Sequence, residues 1–259
     1  LFRSLALEKV SSGTVLNLHR VIHRALEQAV KWGLVARNVA DGTDPPKPVR
    51  KQPRPLIEEE VGQLLEAVKD DRLYALWVMA IVTGMRRGEL LALRWEDVDL
   101  DKGVVTVNRS LQYSESQHLV FQDLKTQKSR RQIPIPQSVV AVLRQHKVRQ
   151  LEERLKLGHW EAGSLVFTNT MGRPIIPTEL SKYFKRLVRK ANLPDIRFHD
   201  LRHTTATLLL RKGVHPKVVQ ERLGHATINI TLDTYSHVLP DMQREAAEKL
   251  DEVLSLGLQ

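Results

Sequence analysis

Four short segments and one downstream tyrosine hold the residue types that phosphate chemistry uses. They are Thr83-Gly-Met-Arg-Arg-Gly-Glu-Leu90, Leu124-Lys-Thr-Gln-Lys-Ser-Arg-Arg131, His199-Asp-Leu-Arg-His203, Leu223-Gly-His225 and Tyr235. A guanidinium presents a planar fork of donors, so two arginines can hold the non-bridging oxygens of one phosphodiester. A histidine moves a proton near neutral pH, and a lysine can donate one to a departing alkoxide. Tyrosine is a weak nucleophile until cationic neighbours favour its phenolate. Phosphoryl transfer depends mainly on positioning and charge stabilisation, so such a cluster could perform it without a metal.

Each segment alone has a plainer reading. Arg86 and Arg87 suit a solvated helix start. Lys125, Lys128, Arg130 and Arg131 suit a basic hairpin. His199 and Arg202, three apart, share a helical face as a structural pair would. His225 after Gly224 suits a helix end, and a lone tyrosine is most often a packing residue. The signal lies in their order and combination.

That combination resembles the tyrosine recombinases of the phage-integrase type. The family pattern is an arginine in a Thr-Gly-x-Arg helix start, a hairpin lysine, a His-x-x-Arg pair, a Leu-Gly-His turn and a downstream tyrosine. All five occur here in order, from Thr83 to Tyr235. The resemblance implies a catalytic set of Arg86, Lys125, His199, Arg202, His225 and Tyr235, with no cofactor and no metal. In it Arg86 and Arg202 clamp the scissile phosphate, and Lys125 protonates the leaving 5′ oxygen. His199 assists proton transfer at the attacking tyrosine, and His225 hydrogen-bonds the phosphate. Tyr235 attacks to leave a 3′-phosphotyrosyl link. Glu89 either orients these groups or forms a surface ion pair. Arg87 and Lys128 are the alternates for Arg86 and Lys125; the family spacing favours the latter two. One departure is Ile57, where the family has a Ser or Thr helix cap.

Three rivals remain beside it. His199 and His203, four apart on a helix, match the histidine spacing of zinc hydrolases, although Arg202 between them would set a cation beside the metal. A non-catalytic DNA-binding protein would account for charge and helices but leaves Tyr235 without a purpose. A relaxing topoisomerase would share the chemistry and differ in product.

The elements that must position these residues are legible from periodicity. Apolar residues recur at helical spacing from Thr14 to Trp32, with Ser11 or Ser12 as cap and Gly33 as stop. Asp44 to Pro55 holds five prolines among basic residues and reads as a linker. Helices are then expected over Glu58–Val68, Leu73–Val82, Arg86–Leu93, Val139–Leu155, Thr178–Lys190, Asp200–Arg211, Pro216–Leu223 and Gln243–Leu254. Val104–Val107 reads as a strand, with His118–Phe121 and Gln132–Ile135 as its antiparallel partners. The expected fold is therefore mainly α with a small antiparallel β-sheet.

The bulk properties agree. The 259 residues, 42% hydrophobic and 27% charged, suffice for one large or two modest cores. The +10 charge and a pI near 9.9 favour a polyanionic partner. Cysteine is absent, which excludes disulfides and thiolate metal sites and fits a reducing cytosol. The longest apolar stretch, Ala75 to Val82, is too short to cross a bilayer. The resemblance adds a two-domain DNA clamp: a partial helical core-binding domain at 1–44, the linker at 45–55 and the catalytic domain at 56–259. It implies double-stranded DNA as partner, a monomer free in solution and a homo-tetramer on DNA, and no membrane. An apolar stripe after Tyr235 (Met242, Ala246, Leu250, Val253 and Leu254) suits packing on its own domain, while the resemblance implies docking on a neighbouring protomer. The expected setting is the cytoplasm of a bacterium, at the nucleoid, and the expected role is integration or excision of a mobile element. The chain starts at Leu1 rather than Met, as a fragment would, and the resemblance implies a catalytic fragment lacking the family's N-terminal arm-binding domain.

Overall fold

The computed structural model describes residues 10–45, 54–114, 118–124, 130–161, 163–235, 247–248 and 250–251. The chain divides into two compact units, Leu1–Gln52 and Pro53–Gln259. Residues 46–53 of the proline-rich stretch lie outside the described part.

In the first unit, helix α1 (Ser12–Lys31) starts where the Ser11 hydroxyl accepts the Thr14 N–H at 3.2 Å. A 3-10 turn, Val39–Gly42, packs back on it. His19 Nε2 lies 3.0 Å from Thr43 Oγ1, and His23 Nε2 lies 2.7 Å from Asp41 Oδ1. Val15 and Ala40 are the buried apolar side chains among the described residues here, while Val21, Trp32, Leu34 and Val39 are each at least 62% exposed. The unit's own core is therefore small.

The second unit opens with α2 (Glu58–Ala67). Ile57 has no hydroxyl to cap it, and the Glu60 carboxylate accepts the Ile57 N–H instead at 3.1 Å. The apolar α3 (Tyr74–Thr83) is buried on nearly every side and stops at Gly84, whose φ of 62° only glycine adopts cheaply. The short α4 (Arg87–Leu91) follows. After the sheets come α5 (Gln137–Leu157), α6 (Pro177–Lys190), α7 (Asp200–Arg211), α8 (Pro216–Leu223) and α9 (Ile228–Tyr235). Pro177 and Pro216 each sit in a first turn, where no N–H is lost from the ladder. Of the expected helix over 243–254, residues 247, 248, 250 and 251 are described and are helical.

The mainly helical fold with small antiparallel sheets is as expected, but the strand pairing is corrected. There are two sheets: β1 (Val98–Asp99), β2 (Val104–Val107) and β5 (Arg131–Pro134) in the order β1-β2-β5, and a hairpin of β3 (Arg109–Tyr113) with β4 (Leu119–Asp123). The segment around His118–Phe121 thus pairs with β3 and not with β2. The reason is local. The Asn108 amide donates to Asp97 Oδ1 at 2.8 Å and Arg109 Nε to the Ala92 carbonyl at 2.8 Å, so the chain changes partner at Asn108.

The core gathers on the inner faces of α3, α6 and the sheet. Trp77, Phe184 and Phe198 meet with ring centroids 5.6–6.1 Å apart. Aromatic side chains buried this way contribute roughly 2–3 kcal/mol each.

Candidate active site

The end of α3 sets the first wall of the site. A Cβ on Gly84 would come within 2.5 Å of Leu223 Cδ2 and 3.3 Å of Thr205 Cβ. Glycine therefore lets α7 and α8 close on this turn. Its carbonyl accepts from Arg202 Nη1 at 2.8 Å, and Arg202 is 4% exposed. Thr205 Oγ1 donates to the Ile81 carbonyl at 2.6 Å, which fixes α7 against α3.

Arg86 stands at the N-cap of α4. Its N–H donates to Glu89 Oε2 at 2.9 Å and its Nη1 to Glu89 Oε1 at 2.8 Å, while Nη2 reaches the Gly224 carbonyl at 3.1 Å. Glu89 is 2% exposed and shares its carboxylate with Arg131, whose Nη2 donates to Oε2 at 2.8 Å. Burial pushes the Glu89 pKa up, but the Arg131 hydrogen bond and charge and the Arg86 contacts outweigh it, and the carboxyl stays below its ordinary range. Of the two readings of Glu89, the surface ion pair is thus excluded. Arg131 also donates from Nε to the Arg222 carbonyl at 2.7 Å, so one carboxylate ties together α4, β5 and the end of α8.

The α8 helix stops at Gly224 (φ 67°), and a Cβ there would press to 2.9 Å on Arg131 Nη1. This turn delivers His225. Its N–H donates to the Gln220 carbonyl at 3.1 Å, and its carbonyl accepts from Gln220 Nε2 at 2.8 Å. Its Nδ1 lies 2.8 Å from Oγ1 of the buried Thr231 on α9. Burial, then the charges of Arg202 and Arg86, push the His225 pKa down to about 4. His199, at the start of α7, keeps an exposed edge, yet burial and then the charges of Arg202, Arg197 and Arg86, against the opposing pull of Asp200, lower it as well. His203 stacks edge-on against His199 with centroids 5.3 Å apart; burial, then His199, bring it to about 4.

Hydrogen bonds bring these segments together: Arg202, on the helix that His199 opens, reaches the Gly84 carbonyl two residues before Arg86, and Arg86 reaches the Gly224 carbonyl next to His225. Arg87 does not join them: its guanidinium turns to the Ser181 hydroxyl on α6. Tyr235 closes α9, its backbone one helical turn beyond Thr231. Lys125 and Lys128 lie outside the described residues. For His199 and His203, no third histidine or carboxylate completes a metal-ligand group among the described residues.

Sequence reasoning treated Arg131 as an ordinary hairpin cation. A signal was present, because Ile133 is a buried strand residue and period two puts residue 131 on the same face. Thr231 lay in a stretch with no expected element. Its β-branched and threonine-rich composition disfavours helix, and α9 forms against α8 regardless.

Two guanidiniums and two histidines that are neutral at pH 7 are residue types suited to gripping and rearranging a phosphodiester. Residues 54–242 match the phage integrase family. A tyrosine recombinase XerC-like protein of Caldanaerobacter subterraneus subsp. tengcongensis is 34% identical, over 94% of this chain and 67% of that one. The ICEBs1 integrase of Bacillus subtilis is 29% identical, over 95% and 67%. A solved structure of the Tn1549 transposon integrase in complex with a circular intermediate DNA superposes with a TM-score of 0.82 at 25% identity, covering 96% of this chain and 83% of that one. The chain belongs to the phage integrase family, the tyrosine site-specific recombinases, which break and rejoin DNA strands. Among the described residues no helix is long and apolar enough to cross a membrane.

Proposed function

We propose that Arg86 and Arg202 hold the scissile phosphate of duplex DNA and that Tyr235 attacks it. The observation that carries this reading is the meeting of the arginine and histidine segments: Arg202 Nη1 donates to the Gly84 carbonyl at 2.8 Å and Arg86 Nη2 to the Gly224 carbonyl, next to His225, at 3.1 Å. Neutral His199 can accept the phenol proton as the Tyr235 oxygen bonds to phosphorus. The bond to the 5′ oxygen breaks, and Lys125 supplies the proton to that leaving oxygen. The products are a 3′-phosphotyrosyl link and a free 5′ hydroxyl. His225 donates a hydrogen bond to a phosphate oxygen, its Nδ1 being held at Thr231. Attack by the 5′ hydroxyl of a second strand reverses the step. The phosphoester count is unchanged, so no ATP is consumed.

The same reading assigns residues 1–44 to the helical core-binding part, 45–55 to the linker and 56–259 to the catalytic domain. It takes the chain as a cytoplasmic monomer that assembles into a tetramer on DNA, with the tail after Tyr235 docking on a neighbour. Integration or excision of a mobile element fits the ICEBs1 integrase and the Tn916 transposase among its relatives.

The test is a nicked duplex built from the element's own ends, incubated with EDTA and either wild type or Tyr235→Phe. A covalent protein–DNA band with wild type, absent from the variant, is expected. A cognate duplex that binds without forming an adduct would leave a DNA-binding protein and overturn the catalytic reading.

A further inference from the structure

A cleft of about 400 Å³ has His199 of the candidate site in its wall, beside Arg87. Its polar rim is cationic: Arg87 from α4, Lys185 from α6, and Arg197 just before α7. Its floor is apolar, formed by the buried Ile196 and Phe198. Among the described residues no carboxylate lines it.

Two of the three cations are already balanced. Arg197 Nη2 donates to Asp200 Oδ1 at 2.8 Å, and Lys185 Nζ lies 3.5 Å from Asp195 Oδ2. Arg87 is different. It is half-buried, and among the described residues its guanidinium has the Ser181 hydroxyl as hydrogen-bond partner and no carboxylate within ion-pair distance. Burial lowers its pKa, the mark of a cation held where solvation is poor. A desolvated guanidinium with donors to spare is costly unless an anion completes it. Arg86, the preceding residue, is committed to Glu89 and the Gly224 carbonyl, so the two arginines leave α4 toward different places.

We propose that this cleft is a second phosphate site, in which Arg87 holds the phosphodiester adjoining the one that is cleaved. His199 borders both positions, and consecutive phosphates of one strand would meet the consecutive arginines. Ile196 and Phe198 provide an apolar surface for the intervening sugar. Because it deepens the reading that Arg86 and Arg202 grip DNA, its test must be able to fail separately from that reading.

The probe is a duplex recovered by the wild-type chain from a pool of random duplexes, with each phosphate of the footprint replaced singly by a neutral methylphosphonate. Binding is measured against salt for wild type, Arg86→Ala, Arg87→Ala and Arg87→Lys. Arg87→Ala is expected to weaken binding about ten- to hundredfold and to lower the slope of log affinity against log salt by about one. On one methylphosphonate duplex it should cost nothing further, and that phosphate should adjoin the one coupled to Arg86. Arg87→Lys should retain most of the affinity. Unchanged binding by Arg87→Ala, or a loss that is the same whichever phosphate is neutral, would overturn the proposal. If thermal unfolding shows that the alanine variant is misfolded, Arg87→Gln, which can still meet Ser181, takes its place. The Tyr235 adduct separates the two readings. An adduct without Arg87 coupling removes only the cleft, and coupling without an adduct removes only the cleavage.

Discussion

At the scale of single residues, the centre is organised by Glu89, a side chain that touches no phosphate. Its carboxylate accepts from Arg86 and from Arg131, whose side chain is 7% exposed. Removing one partner of a buried pair leaves the other's charge poorly compensated, which typically costs 3–5 kcal/mol. Glu89→Ala should therefore lose about 3–5 kcal/mol in urea unfolding. The double variant Glu89→Leu with Arg131→Met should recover much of that stability without restoring DNA affinity, because Arg86 would no longer be held. Full recovery of binding in the double variant would show that the pair only stabilises the fold. Glu89 could be named from the sequence as a residue near Arg86. Its partnership with Arg131 could not, since nothing in a linear pattern says that β5 runs beside the start of α4.

At the scale of elements, what was readable followed local chemistry. The spans of α7 and α8 are those expected, because Asp200, Pro216 and Gly224 punctuate them where capping rules apply. The division of the strands between two sheets was not readable. It depends on Asn108 and Arg109 reaching Asp97 and Ala92, contacts that follow from packing and not from alternation. The closure of α3 on α7 and α8 rests on Gly84, where an added Cβ would meet Leu223 and Thr205 in a left-handed backbone. Gly84→Ala should thus destabilise by more than about 1 kcal/mol, from strain and overpacking together. It should also weaken phosphate binding, since Arg202 takes its position from the Gly84 carbonyl. A variant with wild-type unfolding and binding would contradict this account of the turn.

For the molecule as a whole, the neutral histidines set a pH dependence. His203 and His225, with pKa values brought to about 4, bind fewer protons folded than unfolded over the range from about 6.5 down to 4. Their contribution to stability is complete above about 6.5 and is lost as pH falls toward 4. The lowered carboxyls Glu89, Asp97 and Asp200 add a further loss at lower pH, as they take up protons. Urea midpoints should accordingly fall between pH 7 and pH 4.5, and less steeply for His203→Leu; a flat wild-type profile would refute the placement of these rings. The family was legible in the order Arg86, Lys125, His199, Arg202, His225, Tyr235, because spacing preserves chemistry along a chain. Charge cancellation was not legible, because it depends on which side chains meet. The Gly224 carbonyl receives Arg86 from 138 residues earlier in the chain. During synthesis the arginine leaves the ribosome long before the turn that steadies it. Before that turn exists Arg86 lacks one of its two holds, so a chain that stops short of it should grip phosphate poorly.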